Sequence, residues 1–124
     1  IRILQGTDAG RAFEQFILME LIVFRSNKNL EFDIHYWRTK TGLEVDFVLA
    51  NGDKNIAVEV KLAERIDNRD FKGLKALQEE SDLQRTIVVS RESKSRHVQM
   101  VGKTVIEIMP WKDFLKELWQ GGIV

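Results

Sequence analysis

Three charged residues stand where a two-residue period places them on one side of a sheet. They are Asp46 in Glu44-Val45-Asp46-Phe47-Val48, and Glu59 and Lys61 in Val58-Glu59-Val60-Lys61. Residues two apart on a strand project from the same face, about 7 Å apart. If the turn between the strands takes Asn51 to Lys54, Asp46 lies opposite Glu59. A two-residue turn pairs Asp46 with Ala57 and leaves Glu59 diagonal, and a three-residue turn separates the faces. Opposed carboxylates repel unless something neutralises them, and a divalent cation does so. Mg²⁺ and Mn²⁺ take oxygen ligands, often one or two carboxylates, and leave positions for water and substrate phosphate. Lys61 on that face could then polarise a water or steady charge on a phosphate. The same pattern also serves an ordinary solvated sheet face.

Glu20 is a second anomaly. Counted from Phe13, positions 16, 17, 20, 21 and 24 form one stripe at about 100° per residue, with Glu20 in its middle. A carboxylate buried there needs a partner, because desolvating its charge costs several kcal/mol. A structural salt bridge and a functional site both answer that need. Glu14, on the flank of the stripe, is expected to face solvent.

The elements that position these groups follow from hydrophobic period. Phe13, Phe16, Ile17, Leu21 and Phe24 predict an amphipathic helix over Ala12 to Phe24, with Leu18 and Ile22 on its outer side. That exposed apolar back implies an interface and a possible homodimer. Leu30, Phe32, Ile34 and Tyr36 alternate with polar neighbours as a strand. Leu43 to Leu49 and Ile56 to Leu62 complete three antiparallel strands. Asp70 is placed to cap a helix burying Phe71, Leu74 and Leu77, and Arg85 to Ser90 reads as a buried strand, the second of a right-handed parallel crossover. The segment Arg91 to Lys103 reads as a polar surface connection. A strand from Thr104 to Ile108 and a helix from Trp111 to Trp119 close the chain. The class is mixed α/β, in the order αβββαβ plus a strand and a helix.

With 124 residues, 44% of them hydrophobic, the chain suffices for one core and is short for two domains, so residues 1–124 are expected to form a single domain. The absence of cysteine excludes disulfide frameworks, thiol nucleophiles and Cys-based metal sites, and agrees with a reducing, cytoplasmic setting. Nineteen basic residues balance nineteen acidic ones, so any nucleic-acid binding must be local. The apolar run Phe16 to Phe24 is far shorter than the roughly 20 residues that span a bilayer. There is no Gly-x-x-x-x-Gly-Lys-Ser/Thr loop, and hence no ATP site in this chain, nor a nucleophile elbow for serine hydrolysis. The start at Ile1 is that expected of a piece of a longer protein.

A helix glutamate, a strand Asp, a turn and a strand reading Glu-x-Lys resemble the PD-(D/E)xK nuclease superfamily. More closely, the chain resembles the DUF4143 domain, a nuclease-like domain at the C-terminal end of AAA-type ATPases. The words that carry this are Gly10-Arg11-Ala12-Phe13-Glu14 with Glu20-Leu21, Tyr36-Trp37-Arg38, Glu44 to Val48, Val58 to Lys61, and Pro110 with Phe114-Leu115. The resemblance implies the αβββαβ restriction-endonuclease-like core, Asp46 and Glu59 as ligands of Mg²⁺ or Mn²⁺, Lys61 as catalytic lysine and Glu20 as the helix acid. It implies that the Val60 carbonyl could complete the metal site, that DNA is the substrate, and that an ATPase domain precedes Ile1. Val45 stands where the motif carries proline. Gln78 falls where some members place a DNA-contacting glutamine, and Arg38 and Arg96 are further candidates for phosphate contact. A catalytically inactive module of the same fold, serving partner binding or dimerisation, is the alternative.

Overall fold

The computed structural model describes residues 7–99 and 105–124. Its elements are α1 (Thr7–Asn27), β1 (Asp33–Arg38), β2 (Glu44–Asn51), β3 (Lys54–Val60), a 3₁₀ turn (Asn68–Phe71), α2 (Lys72–Glu80), β4 (Arg85–Ser90), β5 (Arg96–Val98), β6 (Ile106–Pro110) and α3 (Trp111–Trp119). The six strands form one mixed sheet ordered β1-β2-β3-β4-β6-β5. Its β1-β2-β3 meander is antiparallel, and β3-β4 and β4-β6 are parallel, with α2 in the β3-to-β4 crossover. The mixed α/β class and the αβββαβ order are therefore as the periodicity predicts. No helix among the described residues is long and apolar enough to cross a membrane.

Each face of the sheet has its own cover. On one, Ile17, Leu21 and Phe24 of α1 and Phe114 and Leu118 of α3 pack on Phe47, Leu49, Ile56, Val58 and Val89. On the other, Phe71, Leu74 and Leu77 pack on Val45, Ala57, Val88 and Ile108. Burying each such side chain contributes about 1.5–3 kcal/mol, enough to fix which side of every strand faces which helix. The helix cap differs from the expected one: Asp67 accepts from the Arg69 amide, while Asp70 reaches back to the Asp67 amide at 3.0 Å. Asp70 is thus the reciprocal half of a capping box.

Three other expectations change. Leu18 packs against the core and Ile22 is half-buried, while the apolar side chains exposed on α1 are Phe16, Met19 and Val23. The polar connection contains a short edge strand, β5, paired antiparallel with β6. The last strand runs to Pro110, two residues past the predicted end, and its expected start at Thr104 lies outside the described residues.

Candidate active-site cleft

The register of the β2-β3 hairpin decides whether the acidic residues meet. Asn51 pairs with Lys54, leaving Gly52 and Asp53 as the two central turn residues. Gly52 has φ +64°, a left-handed backbone that glycine adopts without steric cost. Counted from that turn, the rungs run through Phe47–Val58, so the next positions along are Asp46 and Glu59; a two-residue turn here sets these two opposite, and the Asp46–Ala57 pairing expected of it does not occur. Here the ladder stops. The Asp46 amide donates instead to Glu59 Oε1 at 3.2 Å, and the Val60 amide donates to Asp46 Oδ2 at 2.7 Å. Beyond this point β2 stays with β1, to Arg38–Glu44, and β3 stays with β4, to Val60–Val89. The two carboxylates occupy the fork between them.

The fork opens into a cleft of about 480 Å³. Glu59, Val60 and Lys61 form one wall with Asp46 and Glu44, and Arg11 and Glu14 of α1 close one side. Lys72 and Gly73 at the start of α2 close the other. Gly73 permits that approach: a Cβ there would lie 1.9 Å from the Glu44 carbonyl oxygen. Arg69 also lines the cleft, but its guanidinium is held by Asp67 at 2.8 Å.

Electrostatically the pair is unbalanced. Glu59 is buried, and burial, reinforced by its hydrogen bond with Asp46 and by the Asp46 charge, pushes its carboxyl up to about 9. At neutral pH the pair therefore holds a proton, since desolvation disfavours a second charge beside the first. Glu14 is also raised, by burial and then by the charges of Asp46 and Glu44. Among the described residues, no group of three or more His, Asp or Glu side chains is assembled ready to hold a metal ion. The acidic centre of the cleft is a pair.

Of the residues singled out in the sequence, Asp46, Glu59 and Lys61 come together and Glu20 does not. The buried line of α1 is Ile17, Leu21 and Phe24, which puts Glu14 and Glu20 on opposite flanks, about 60° to either side of Ile17. Only the flank and turn bearing Glu14 reach the cleft, so α1 contributes Glu14 to its lining and not Glu20. The residues suggested for nucleic-acid contact do not line the cleft. Gln78 donates to Thr86 Oγ1 of β4 at 3.1 Å from the inner side of α2. Arg96 is bidentate to Glu92, with both bonds 2.8 Å, and also donates to the Ile66 carbonyl at 2.7 Å. Arg38 is exposed beside Glu44, 3.7 Å away. Sequence reasoning missed Glu14, Arg11, Lys72 and Gly73 as cleft residues. A glycine inside a helical pattern was the available signal for Gly73.

A family model described as a domain of unknown function, DUF4143, matches residues 9–114. The chain belongs to the DUF4143 family. The match spans every cleft residue, from Gly10 to Gly73, as well as β4 and β6. No curated protein matches the chain. The DUF4143 domain thus carries its acidic pair beside β3, the strand that pairs antiparallel with β2 and parallel with β4.

Proposed function

We propose that the protein is a metal-dependent phosphodiesterase acting on DNA, with the fork between β2 and β3 as its active site. The observation that carries this reading is the Asp46–Glu59 pair, two carboxylates held side by side in the cleft by the Asp46 and Val60 amides. The donor set suits Mg²⁺ or Mn²⁺, because both side chains offer hard oxygens and two carboxylates are a common protein contribution to such sites. Asp46 and Glu59 would hold the ion, with the Val60 carbonyl within the same wall. When bound, such an ion offsets charge on a phosphate and acidifies its water. Lys61 places an ammonium in the same cleft, able to orient the attacking water or steady the phosphate oxygens. Arg11 and Lys72, on opposite sides, supply sequence-independent attraction for a phosphate backbone. An ATPase domain of a longer parent chain is the partner on this reading. Plasmid cleavage with Mn²⁺ tests it. Wild-type protein should nick DNA, and Lys61→Met should bind Mn²⁺ as well as wild type and nick nothing. Cleavage that survives Lys61→Met would refute the assignment.

One observation favours a second reading, that of a non-catalytic module. Phe16, Met19 and Val23 are 42%, 53% and 45% exposed along one side of α1, a stripe suited to a second copy or a partner helix. Sedimentation of wild type and Met19→Lys distinguishes it: concentration-dependent association that the lysine abolishes supports this role.

A further inference from the structure

A second pocket, about 280 Å³, opens beside the cleft between α1 and β1 and shares Glu14 and Asp46 with it. Leu18, Ile34 and Phe47 give it apolar walls, and Tyr36 stands among its lining residues. Tyr36 is out of step with its strand. Alternation from Phe32 and Ile34 would turn it to the core, yet it is 57% exposed. The cause is a bulge: His35 pairs with Val48 and Trp37 with Val45, so β2 carries one extra residue opposite Tyr36, at Asp46–Phe47. Bulges re-aim side chains in this way and are frequent beside active sites. The neighbouring Glu44 carboxylate raises the Tyr36 pKa above the usual value.

From this we infer that the pocket receives an unpaired nucleobase, stacked on the Tyr36 ring, of the strand whose phosphate lies in the cleft. The inference rests on the phosphodiesterase reading and names its substrate as single-stranded at the cleaved step. Three features select this occupant. The pocket's polar lining is Glu14, Asp46, His35 and Tyr36, two carboxylates against one imidazole and no Lys or Arg, so it suits a neutral group better than a second phosphate. It adjoins the cleft, sharing Asp46 and Glu14 with it, as a base adjoins its own phosphate. It combines an aromatic face, on which any base can stack, with carboxylates that accept from exocyclic amino groups. A base paired inside a duplex cannot enter a side pocket without being unstacked.

Fluorescence anisotropy with a short labelled DNA single strand and with its duplex, in Ca²⁺, tests the inference. The single strand should bind at least about tenfold more tightly, as expected for one stacked base. Tyr36→Ala should erase that preference. Tyr36→Phe, which keeps the ring and loses the hydroxyl, should retain it. Equal binding of both DNAs, no binding of either, or a preference untouched by Tyr36→Ala would overturn the pocket assignment. So would a Tyr36→Phe variant as impaired as Tyr36→Ala, since the hydroxyl would then be the active part. Cleavage of a single-stranded DNA circle and of duplex plasmid in Mn²⁺, run in parallel, separates the two levels. Cleavage without strand preference removes the base pocket and leaves the phosphodiesterase. Strand preference without cleavage upholds the pocket and removes the catalysis.

Discussion

Asp46 and Glu59 grip one another through main chain and side chain together: the Asp46 amide donates to Glu59 Oε1 at 3.2 Å. Asp46 in turn accepts the amide of Val60, the residue after Glu59, at 2.7 Å. Two carboxylates that would repel in an extended ladder are thus fixed side by side where the ladder ends. That fixation has consequences for pH, for cations and for the backbone around the pair.

The pH dependence follows from the proton on Glu59. Its carboxyl titrates near 4.5 in the unfolded chain and at about 9 in the folded one. Between these limits the native state binds more protons than the unfolded state, so stability falls as pH rises through the window and is fully present below it. Glu59→Gln mimics the protonated form and should remove the slope. Thermal melts of both proteins between those limits check this, and a wild-type Tm as flat as the mutant's would contradict it.

Cation binding should displace the same proton. Mn²⁺ titrations in buffers of different ionisation enthalpy should show proton release at neutral pH, with affinity rising toward alkaline pH. Mn²⁺ at 100 times its Kd should stabilise the wild type by about 2.7 kcal/mol. Glu59→Gln should lose most of that response. A Tm shift of equal size in both proteins would mean that the ion binds elsewhere.

Gly73→Ala should loosen α2 against β2. The added Cβ lies 1.9 Å from the Glu44 carbonyl oxygen and 2.8 Å from its carbon, so backbone must move. The strain is expected to destabilise by about 1–3 kcal/mol, outweighing a helix-propensity gain of about 1 kcal/mol. Urea denaturation gives the sign directly. A variant as stable as wild type would show that the helix slides without penalty.

Arg96→Ala should act on stability and not on DNA affinity. Glu92, which Arg96 holds, is buried and also accepts the Ile66 amide at 2.6 Å, tying the loop after β3 to β5. Arg96 lowers the Glu92 pKa, so this contribution is present above the ordinary carboxylate value and fades as pH falls through the lowered one. Loss of the partner should cost about 1–3 kcal/mol. A reduced salt slope of DNA binding at unchanged stability would return Arg96 to the nucleic-acid surface.

The elements with repeated apolar period were legible in the sequence. Helix α1, strands β2 to β4 and helix α3 follow from side-chain spacing alone, and Asp46 and Glu59 share a fork because hairpin register is local. What escaped were effects of pairing and rotation. Strand β5 is only Arg96–Val98, too short for a pattern, and exists because β6 offers an edge. Tyr36 faces outward because of an extra residue in the neighbouring strand, which no reading of β1 alone contains. Glu14 and Glu20 differ by a rotation of the buried line of α1, and the exposed Phe16 disguised that rotation by lengthening the apolar stripe on the wrong flank.

The turn at Gly52–Asp53 leaves only twelve residues between Asp46 and Glu59. Contacts that close so short a loop form early on a folding pathway, before the parallel pairing of β3 with β4 recruits its crossover helix. Repulsion within the pair is therefore met by the chain while it is still climbing toward its transition state. Deprotonating the pair should slow refolding more than it speeds unfolding, and a divalent cation should restore the refolding limb first.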